Sequence, residues 1–414
     1  MFRALTYRNY RIFFFGQSIS LIGTWMQQIA LIWLVYRMTN SVLLLSLVGF
    51  SGQIATFLLA PFAGVIADRH HRHRLLLLTQ TAAMAQAIVL TVLVLTHHIT
   101  VWQIIVLNLI AGMINAFDIP VRQAFTVEMV DNRDDLGNAI ALNSSMVNVA
   151  RLLGPSIGGF LIAAVGEGMC FLLNALSFVA VLISLLVMRI PHPSNRGRYK
   201  SIWKELKEGF HYTFDFMPIR TILLMLSAVS FVGGGAQILM PVVAREVFHG
   251  GAATLGLLMA SSGSGALAGA IYLASRKSVL GLGKVIVAAS LFFGMGLIGV
   301  AFAPTVWVSM LLLFCSGFGM MVQMAASNTV LQTMVEEDKR GRVMSFYTMA
   351  FMGMAPFGSL AAGGLTQHWG VGRALLAGGL FVIAGAGVFA SALPKLRELT
   401  RPVYIRKGVL NEIT

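Results

Sequence analysis

The fold is indicated by one continuous stretch, residues 42–74, which reads VLLLSLVGFSGQIATFLLAPFAGVIADRHHRHR. Residues 42–67 carry no charge, and they are long enough to cross a hydrocarbon core of roughly 30 Å as a helix. A helix is required because lipid offers no hydrogen-bond partner for a free backbone N–H or C=O. Asp68, Arg69, Arg72 and Arg74 follow in a short basic segment. The stretch therefore predicts a membrane span that ends in a basic loop.

The rest of the chain repeats this pattern of apolar runs and short polar loops. Of the 414 residues, 57% are hydrophobic and 11% are charged, whereas soluble domains average about 25% charged residues. We predict twelve spans, from residues 10–36 to residues 375–393. The expected fold class is an all-α membrane protein with twelve transmembrane helices.

The distribution of basic residues predicts the orientation in the membrane. Of the 30 Lys and Arg residues, Arg37, Arg245 and Arg373 fall at one set of span ends, and Arg151 falls within a span. The others lie at the opposite ends, in the tails and in the central loop. By the positive-inside rule both termini are cytoplasmic. Because the basic residues lie in tails and loops, the net charge of +14 does not indicate nucleic-acid binding. It indicates a multi-pass protein of a bacterial inner (plasma) membrane.

The chain divides into two similar halves. Residues 128–166 resemble residues 333–370, with Gly158 and Gly159 matching Gly363 and Gly364. Parallel six-helix repeats are typical of transporters. We predict an N-terminal six-helix bundle at 1–190, a cytoplasmic linker with an amphipathic surface helix at 191–215, a C-terminal six-helix bundle at 216–400 and a cytoplasmic tail at 401–414.

The loop after the second span resembles the signature of the major facilitator superfamily. Gly64 is followed four residues later by Asp68 and Arg69, and then by Arg72. The resemblance implies a conformational latch formed by these four residues, in which the Asp sits against a positive helix end. The superfamily usually has a second Gly where His71 stands. The alternative interpretation is an ordinary basic loop.

A glycine-rich motif lies within the fifth span. Gly154, Pro155, Gly158 and Gly159 resemble the superfamily motif Gly-Pro-x-x-Gly-Gly, which is associated with exporters. The proline removes a backbone donor and is expected to kink the helix. Gly154 and Gly158 have the spacing of a close helix-packing face. The alternative is a small-residue helix without any role in transport.

Three further segments, 115–125, 138–143 and 174–178, resemble a narrower branch of the superfamily. That branch contains the enterobactin exporter and the macrolide efflux transporters, which are drug:proton antiporters. The resemblance implies the major facilitator fold, efflux of a small molecule and proton coupling. It covers the N-terminal half and weakens in the C-terminal half.

Charged and polar residues within the spans are candidates for the transport pathway. Asp118, Arg122 and Glu128 form a charge cluster at the end of the fourth span, either switching or static. Arg151 lies near the bilayer midplane, where a lone charge is costly. We interpret it as a contact for an anionic or polar substrate group, with a structural pair, for example with Asp118, as the alternative. The predicted substrate cavity contains Arg151, Trp25, Gln28, Asn115, Asn148, Gln237 and Gln323.

The chain has no sequence pattern for a cofactor, a metal or an enzyme. It contains no phosphate-binding Gly-rich loop with Lys, no metal-ligand spacing and no nucleophile–base pair. We therefore predict a secondary active transporter, a monomer that exports a small amphipathic molecule such as a drug or siderophore by alternating access. Its expected partners are this substrate, protons and membrane lipids. The alternatives are a lipid or lysolipid flippase of the same fold, and a non-transporting sensor or assembly subunit.

Overall fold

The computed structural model describes residues 3–130, 132–188, 212–276 and 278–406. Within helices it describes only the backbone at positions 60, 61, 64, 65, 67–69, 133, 134, 337, 338, 341 and 406. The surface helix predicted in the 191–215 linker falls on residues outside this description, apart from its last few residues.

Across the described ranges the chain forms twelve α-helices that are long and apolar enough to span a membrane, and no strand. The predicted all-α fold with twelve spans is therefore confirmed. The helices are α1 Arg8–Thr39, α2 Val42–Arg69, α3 Arg72–Leu95, α4 Val101–Glu128, α5 Arg133–Val165, α6 Glu167–Val187, α7 Met217–Val242, α8 Ala252–Ser275, α9 Leu282–Ala301, α10 Val306–Met334, α11 Glu337–Trp369 and α12 Val371–Arg406.

The internal repeat reappears in the shortest connections. Gly166 joins α5 to α6 with a φ of 85°, and Gly370 joins α11 to α12 with a φ of 80°. Glycine adopts positive φ without steric cost, so one residue is enough to reverse the chain. Both halves therefore use the same one-residue turn at the matching position.

Helix ends on the basic side extend beyond the predicted spans. The term basic side denotes the helix ends that adjoin the basic tails and loops. The term opposite side denotes the other ends of the same helices. Helix α1 begins at Arg8, where the predicted span began at residue 10, and α12 continues to Arg406, where the predicted span ended at residue 393. Hydropathy underestimates these lengths because a helix can continue into water after its apolar residues end.

Two compact units emerge from the contacts, Met1–Gly197 with Ile238–Gly263, and Arg198–Gln237 with Ser264–Thr414. Contacts on the opposite side join the segment 238–263 to the rest of the first unit. Tyr36 donates a hydrogen bond to Glu246. A Cβ built on Gly159 would lie 2.6 Å from Gly256 Cα, and one on Gly49 would lie 2.9 Å from Ile238. The predicted boundaries at 190 and 216 remain a prediction.

The core of the first unit lies on the basic side. Tyr10, Phe13, Phe125 and Leu185 are fully buried there. The Tyr10 hydroxyl donates to Ala139 O over 2.9 Å, which fixes the start of α1 against α5. Buried tyrosines need such a partner for their hydroxyl.

The second unit contains equally close packing. The Ser230 hydroxyl of α7 donates to Phe351 O of α11. A Cβ on Gly234 would lie 2.4 Å from Ala355 O, so these two helices meet at their small residues.

Candidate functional site: a groove between α1 and α5

A groove of about 400 Å³ runs between α1 and α5 in the first unit. It follows one face of each helix, from Phe14 to Ile22 on α1 and from Asn138 to Ala150 on α5. The lining residues recur three or four positions apart, which is the spacing of one helical face. Its volume falls in the range of pockets that hold drug-sized molecules.

The lining is mainly apolar and carries a few hydroxyl and amide groups. Phe14, Leu142 and Met146 supply apolar surface, and Ser18 and Ser145 supply hydroxyls. The groove is open along one side, because residues 141, 145 and 149 are exposed. This combination suits an amphipathic molecule that has an apolar body and few polar groups.

The glycine motif closes the groove toward the opposite side. A Cβ built on Gly154 would lie 2.4 Å from Trp25 Cβ, and one on Gly158 would lie 2.7 Å from Ile29 Cγ2. Helices α1 and α5 therefore touch directly beyond the groove. Gly159 points elsewhere, toward Gly256 of α8. Pro155 lies within α5, which continues unbroken through it.

Arg151 and Trp25 come just after the residues that line the groove and are not themselves part of the lining. Each belongs to the turn that follows the last lining residues of its helix, Ala150 and Ile22. The Arg151 guanidinium carbon lies 5.0 Å from the centroid of the Trp25 ring, which is a cation–π distance. Among the described residues, no carboxylate forms an ion pair with Arg151, and its Nε atom is buried without a hydrogen-bond partner. The predicted alternative, a pair with Asp118, is not observed.

Asp118 is instead held by a separate polar cluster. Asp118 as a whole residue is 5% exposed, and its side chain accepts hydrogen bonds from Thr79 Oγ1 at 2.9 Å and Gln80 Nε2 at 2.7 Å. Arg122 Nε lies 3.6 Å from its other carboxylate oxygen. A small cavity of about 70 Å³ adjoins this cluster, and Gln17 and Asn115 also line it. The buried Asp118 carboxylate therefore has one ion-pair partner, Arg122, and two hydrogen-bond donors, Thr79 and Gln80.

Arg72 and Glu128 form an ion pair between α3 and α4. Arg72 Nη1 lies 2.9 Å from Glu128 Oε1 and also donates to Ala124 O over 3.3 Å. The sequence had assigned Arg72 to the latch and Glu128 to the charge cluster, and the structure brings the two together. The side chains of Gly64, Asp68 and Arg69 lie outside the described residues, so the latch remains a prediction.

The other predicted cavity residues occupy different environments. Gln28 and Asn115 are exposed, and Gln237 is half-buried. Asn148 is 9% exposed and donates to Ser144 O, one turn earlier in α5. Gln323 is completely buried and donates to Ser327 Oγ over 3.3 Å. Gln323 therefore lines no open surface in this conformation.

Several residues of the site were missed by sequence reasoning. Gln27 accepts a hydrogen bond from Asn174 Nδ2 over 2.7 Å and donates to Gln86 Oε1 over 3.3 Å, which joins α1, α3 and α6. The groove lining of α1 was also missed. Its signal was Phe14, Ser18 and Ile22 at i, i+4 spacing, but a moderately apolar face looks the same whether it faces lipid, protein or a groove.

Comparisons with known proteins agree with this architecture. The family model described as transmembrane secretion effector matches residues 1–403. The chain is 28% identical over 392 residues to the staphyloferrin A transporter of Staphylococcus aureus (93% of this chain, 96% of that protein). It is 23% identical over 409 residues to macrolide efflux protein A of Streptococcus pyogenes (95% and 98%).

A solved structure shares the fold. The bacterial homologue of the lysosomal transporter Spinster, in its inward-facing and unoccupied conformation, superposes with a TM-score of 0.70 at 13% identity. The alignment covers 95% of this chain and 98% of that one.

The twelve helices, the repeat and these similarities define a multi-pass membrane transporter of the major facilitator superfamily, and not an enzyme. Within that superfamily the chain belongs to the transmembrane secretion effector family. The predicted resemblance to efflux transporters and siderophore transporters is confirmed.

Proposed function

We propose that this protein exports a small amphipathic molecule from the cytoplasm across a bacterial inner membrane, by alternating access and in exchange for protons. The observation that carries the proposal is the α1–α5 groove, which starts near the basic side and whose last lining residues, Ile22 and Ala150, are followed along their helices by Trp25 and Arg151. If the basic side is cytoplasmic, the groove receives its substrate from the cytoplasm. The names of relatives, which include efflux and secretion, support the same direction.

The experiment that tests export is transport in sealed inside-out vesicles with an imposed proton gradient. A fluorescent dye, a macrolide and a fluorescent phospholipid would be followed in parallel. Gradient-driven accumulation of the dye or the macrolide supports export. Movement of the phospholipid alone would replace the proposal with lipid flipping, which the mainly apolar lining of the groove also allows. No movement of any probe would favour a sensor or assembly subunit.

For proton coupling we propose Asp118 as the proton-binding group. It is buried, and the charged group that faces it is Arg122, on its own helix. Its neighbours from α3 are the neutral Thr79 and Gln80, and Gln17 of α1 lines the adjoining cavity. Protonation of Asp118 would weaken its attraction to Arg122 and free the arginine to move, which couples proton binding to a change in helix contacts.

Asp118→Asn is expected to abolish accumulation driven by the proton gradient, because an amide cannot carry the proton. Exchange of labelled for unlabelled substrate at equal concentrations should persist, since it needs no net proton movement. The matched control is Asp135→Asn, at a carboxylate near the basic-side start of α5 that accepts a hydrogen bond from Tyr7 over 2.9 Å. Asp135→Asn should retain gradient-driven accumulation. Gradient-driven transport at the parental rate in Asp118→Asn would remove Asp118 from the coupling mechanism.

For the latch we propose that Gly64, Asp68, Arg69 and Arg72 stabilise one conformation of the transport cycle. The Arg72–Glu128 ion pair supports a role of this loop in fixing α3 against α4. Its side chains are 19% and 29% exposed, so the pair alone stabilises the contact by about 1 kcal/mol or less. A pair of that strength can break during the cycle without a large barrier.

A further inference from the structure

The Arg151–Trp25 pair directly follows the residues that line the apolar α1–α5 groove, and we infer that groove and pair together select amphipathic anions that carry a carboxylate or similar group. This inference rests on the proposed function and adds the charge class of the substrate. The recognition element is the Arg151–Trp25 pair, and the apolar groove holds the rest of the molecule.

The first step of the argument is the electrostatic situation of Arg151. An arginine within a membrane span is costly unless a partner compensates its charge. No described carboxylate pairs with it, and the Trp25 ring compensates only part of the charge, since a cation–π contact contributes about 0.5–2 kcal/mol. The guanidinium therefore retains unused capacity to bind an anion.

The second step is the geometry of the pair. The guanidinium is planar and presents several N–H donors in a fixed fork, which matches the two oxygens of a carboxylate. The Arg151 guanidinium carbon lies 5.0 Å from the centroid of the Trp25 ring, which is a cation–π distance. The Nε–H group of Arg151 is buried without a hydrogen-bond partner and is available to an anion. Trp25 thus holds the fork in place, and its ring is also available to contact an aromatic substrate.

The third step is the position of the pair relative to the groove. The groove ends here because Gly154 brings α5 against Trp25 Cβ. The lining that leads to this point is mainly apolar, with side chains such as Ile22 and Met146. A molecule that lies along the groove with its anionic group inward pairs that group with Arg151 and leaves its apolar part against the lining. A cation in the same position would be repelled by Arg151.

The test measures binding to the whole protein in lipid nanodiscs with three probes that share one ring system. These are the anion 1-naphthaleneacetate, the neutral 1-naphthaleneethanol and the cation 1-naphthylmethylammonium. Calorimetric titration of empty nanodiscs gives the blank for partitioning into lipid. We expect the parent to bind the anion at least about tenfold more tightly than the alcohol, the ratio that one charge-assisted hydrogen bond provides, and to bind the cation most weakly.

The variants assign this preference to the site. Arg151→Met keeps the length of the side chain and should bring the anion-to-alcohol ratio close to one. Arg151→Lys keeps the charge and should retain part of the preference, and Trp25→Leu should weaken binding of all three probes. A parent that binds the alcohol as tightly as the anion would overturn the inference even if no variant folds. A folded Arg151→Met that keeps the anion preference would overturn it as well.

The outcome is separable from that of the export proposal. Dye or macrolide export without any anion preference would refute only the inference about charge. An anion preference that depends on Arg151, in a protein that moves no probe in vesicles, would refute only export.

Discussion

Replacing Gly159 with leucine is expected to abolish transport while the protein remains folded. A Cβ at this position would lie 2.6 Å from Gly256 Cα and 2.7 Å from Ala252 O. A leucine side chain therefore does not fit between α5 and α8 in the present conformation. Overpacking of this kind costs about 1–3 kcal/mol, which corresponds to a change of about 5–150-fold in a conformational equilibrium. If transport proceeds by the proposed alternating access, this contact closes in one state and opens in the other.

Two measurements check this prediction. Dye accumulation in inside-out vesicles reports transport. The rate of alkylation of Ser145→Cys by a membrane-impermeant maleimide, applied from the basic side, reports access to the groove. This labelling uses a background with Cys170→Ser and Cys315→Ser. We expect Gly159→Leu to slow the alkylation, because the variant favours the state in which the opposite side is open and the groove is closed.

The matched control comes from the other half of the repeat. Gly364 corresponds to Gly159 in the duplicated segment, and no atom lies within 4 Å of a Cβ built on it. Gly364→Leu should therefore transport and label like the parent. If Gly159→Leu also transports like the parent, the α5–α8 contact is not one that has to close during the cycle.

Sequence reasoning predicted the fold well because membrane insertion imposes few and simple constraints. Each span needs about 20 apolar residues, and a helix is the required structure for an isolated span. Residues 42–67 were placed within α2 for this reason. The basic-side ends were predicted too short, as for α12, because hydropathy reports where lipid ends and not where hydrogen bonding ends.

The site was predicted only in part, for reasons that particular residues illustrate. Arg151 was singled out because a lone charge in a span is rare, and in the structure it lies beside Trp25. Gln323 was grouped with them on polarity alone, and it is completely buried. Polarity identifies a residue that needs a partner, but the partner can be a substrate, another helix or the same helix. Asn174, in one of the segments that resemble the narrower branch, donates a hydrogen bond to Gln27. This bond joins α6 to α1.

Replacing Gly112 with valine is expected to lower the stability of the first unit more than any loss of a hydrogen bond there. Helices α2 and α4 approach so closely that a Cβ on Gly112 would lie 2.0 Å from Gly52 O. Two hydrogen bonds accompany this approach, from Asn108 Nδ2 to Val48 O at 2.6 Å and from Thr56 Oγ1 to Gly112 O at 2.9 Å. Small residues permit the approach, and the polar side chains use it.

Magnitudes decide which of these interactions dominates. Interhelical hydrogen bonds in membranes contribute about 0.6 kcal/mol on average, so Thr56→Val should have a small effect. Gly112→Val forces the two backbones apart, which costs about 1–3 kcal/mol directly and also breaks both hydrogen bonds.

The measurement is the apparent melting temperature of the detergent-solubilised protein, followed by size-exclusion fluorescence. We expect Gly112→Val to melt about 5 °C or more below the parent and Thr56→Val to melt close to it. The control is Gly137→Val, at an exposed position of α5 where a Cβ would contact no atom within 4 Å. Equal melting temperatures for Gly112→Val and Gly137→Val would mean that α2 and α4 separate at little cost. In that case the close glycine contact would not be what holds these two helices together. The hydrogen bonds of Asn108 and Thr56 would then contribute more to stability than the average of about 0.6 kcal/mol.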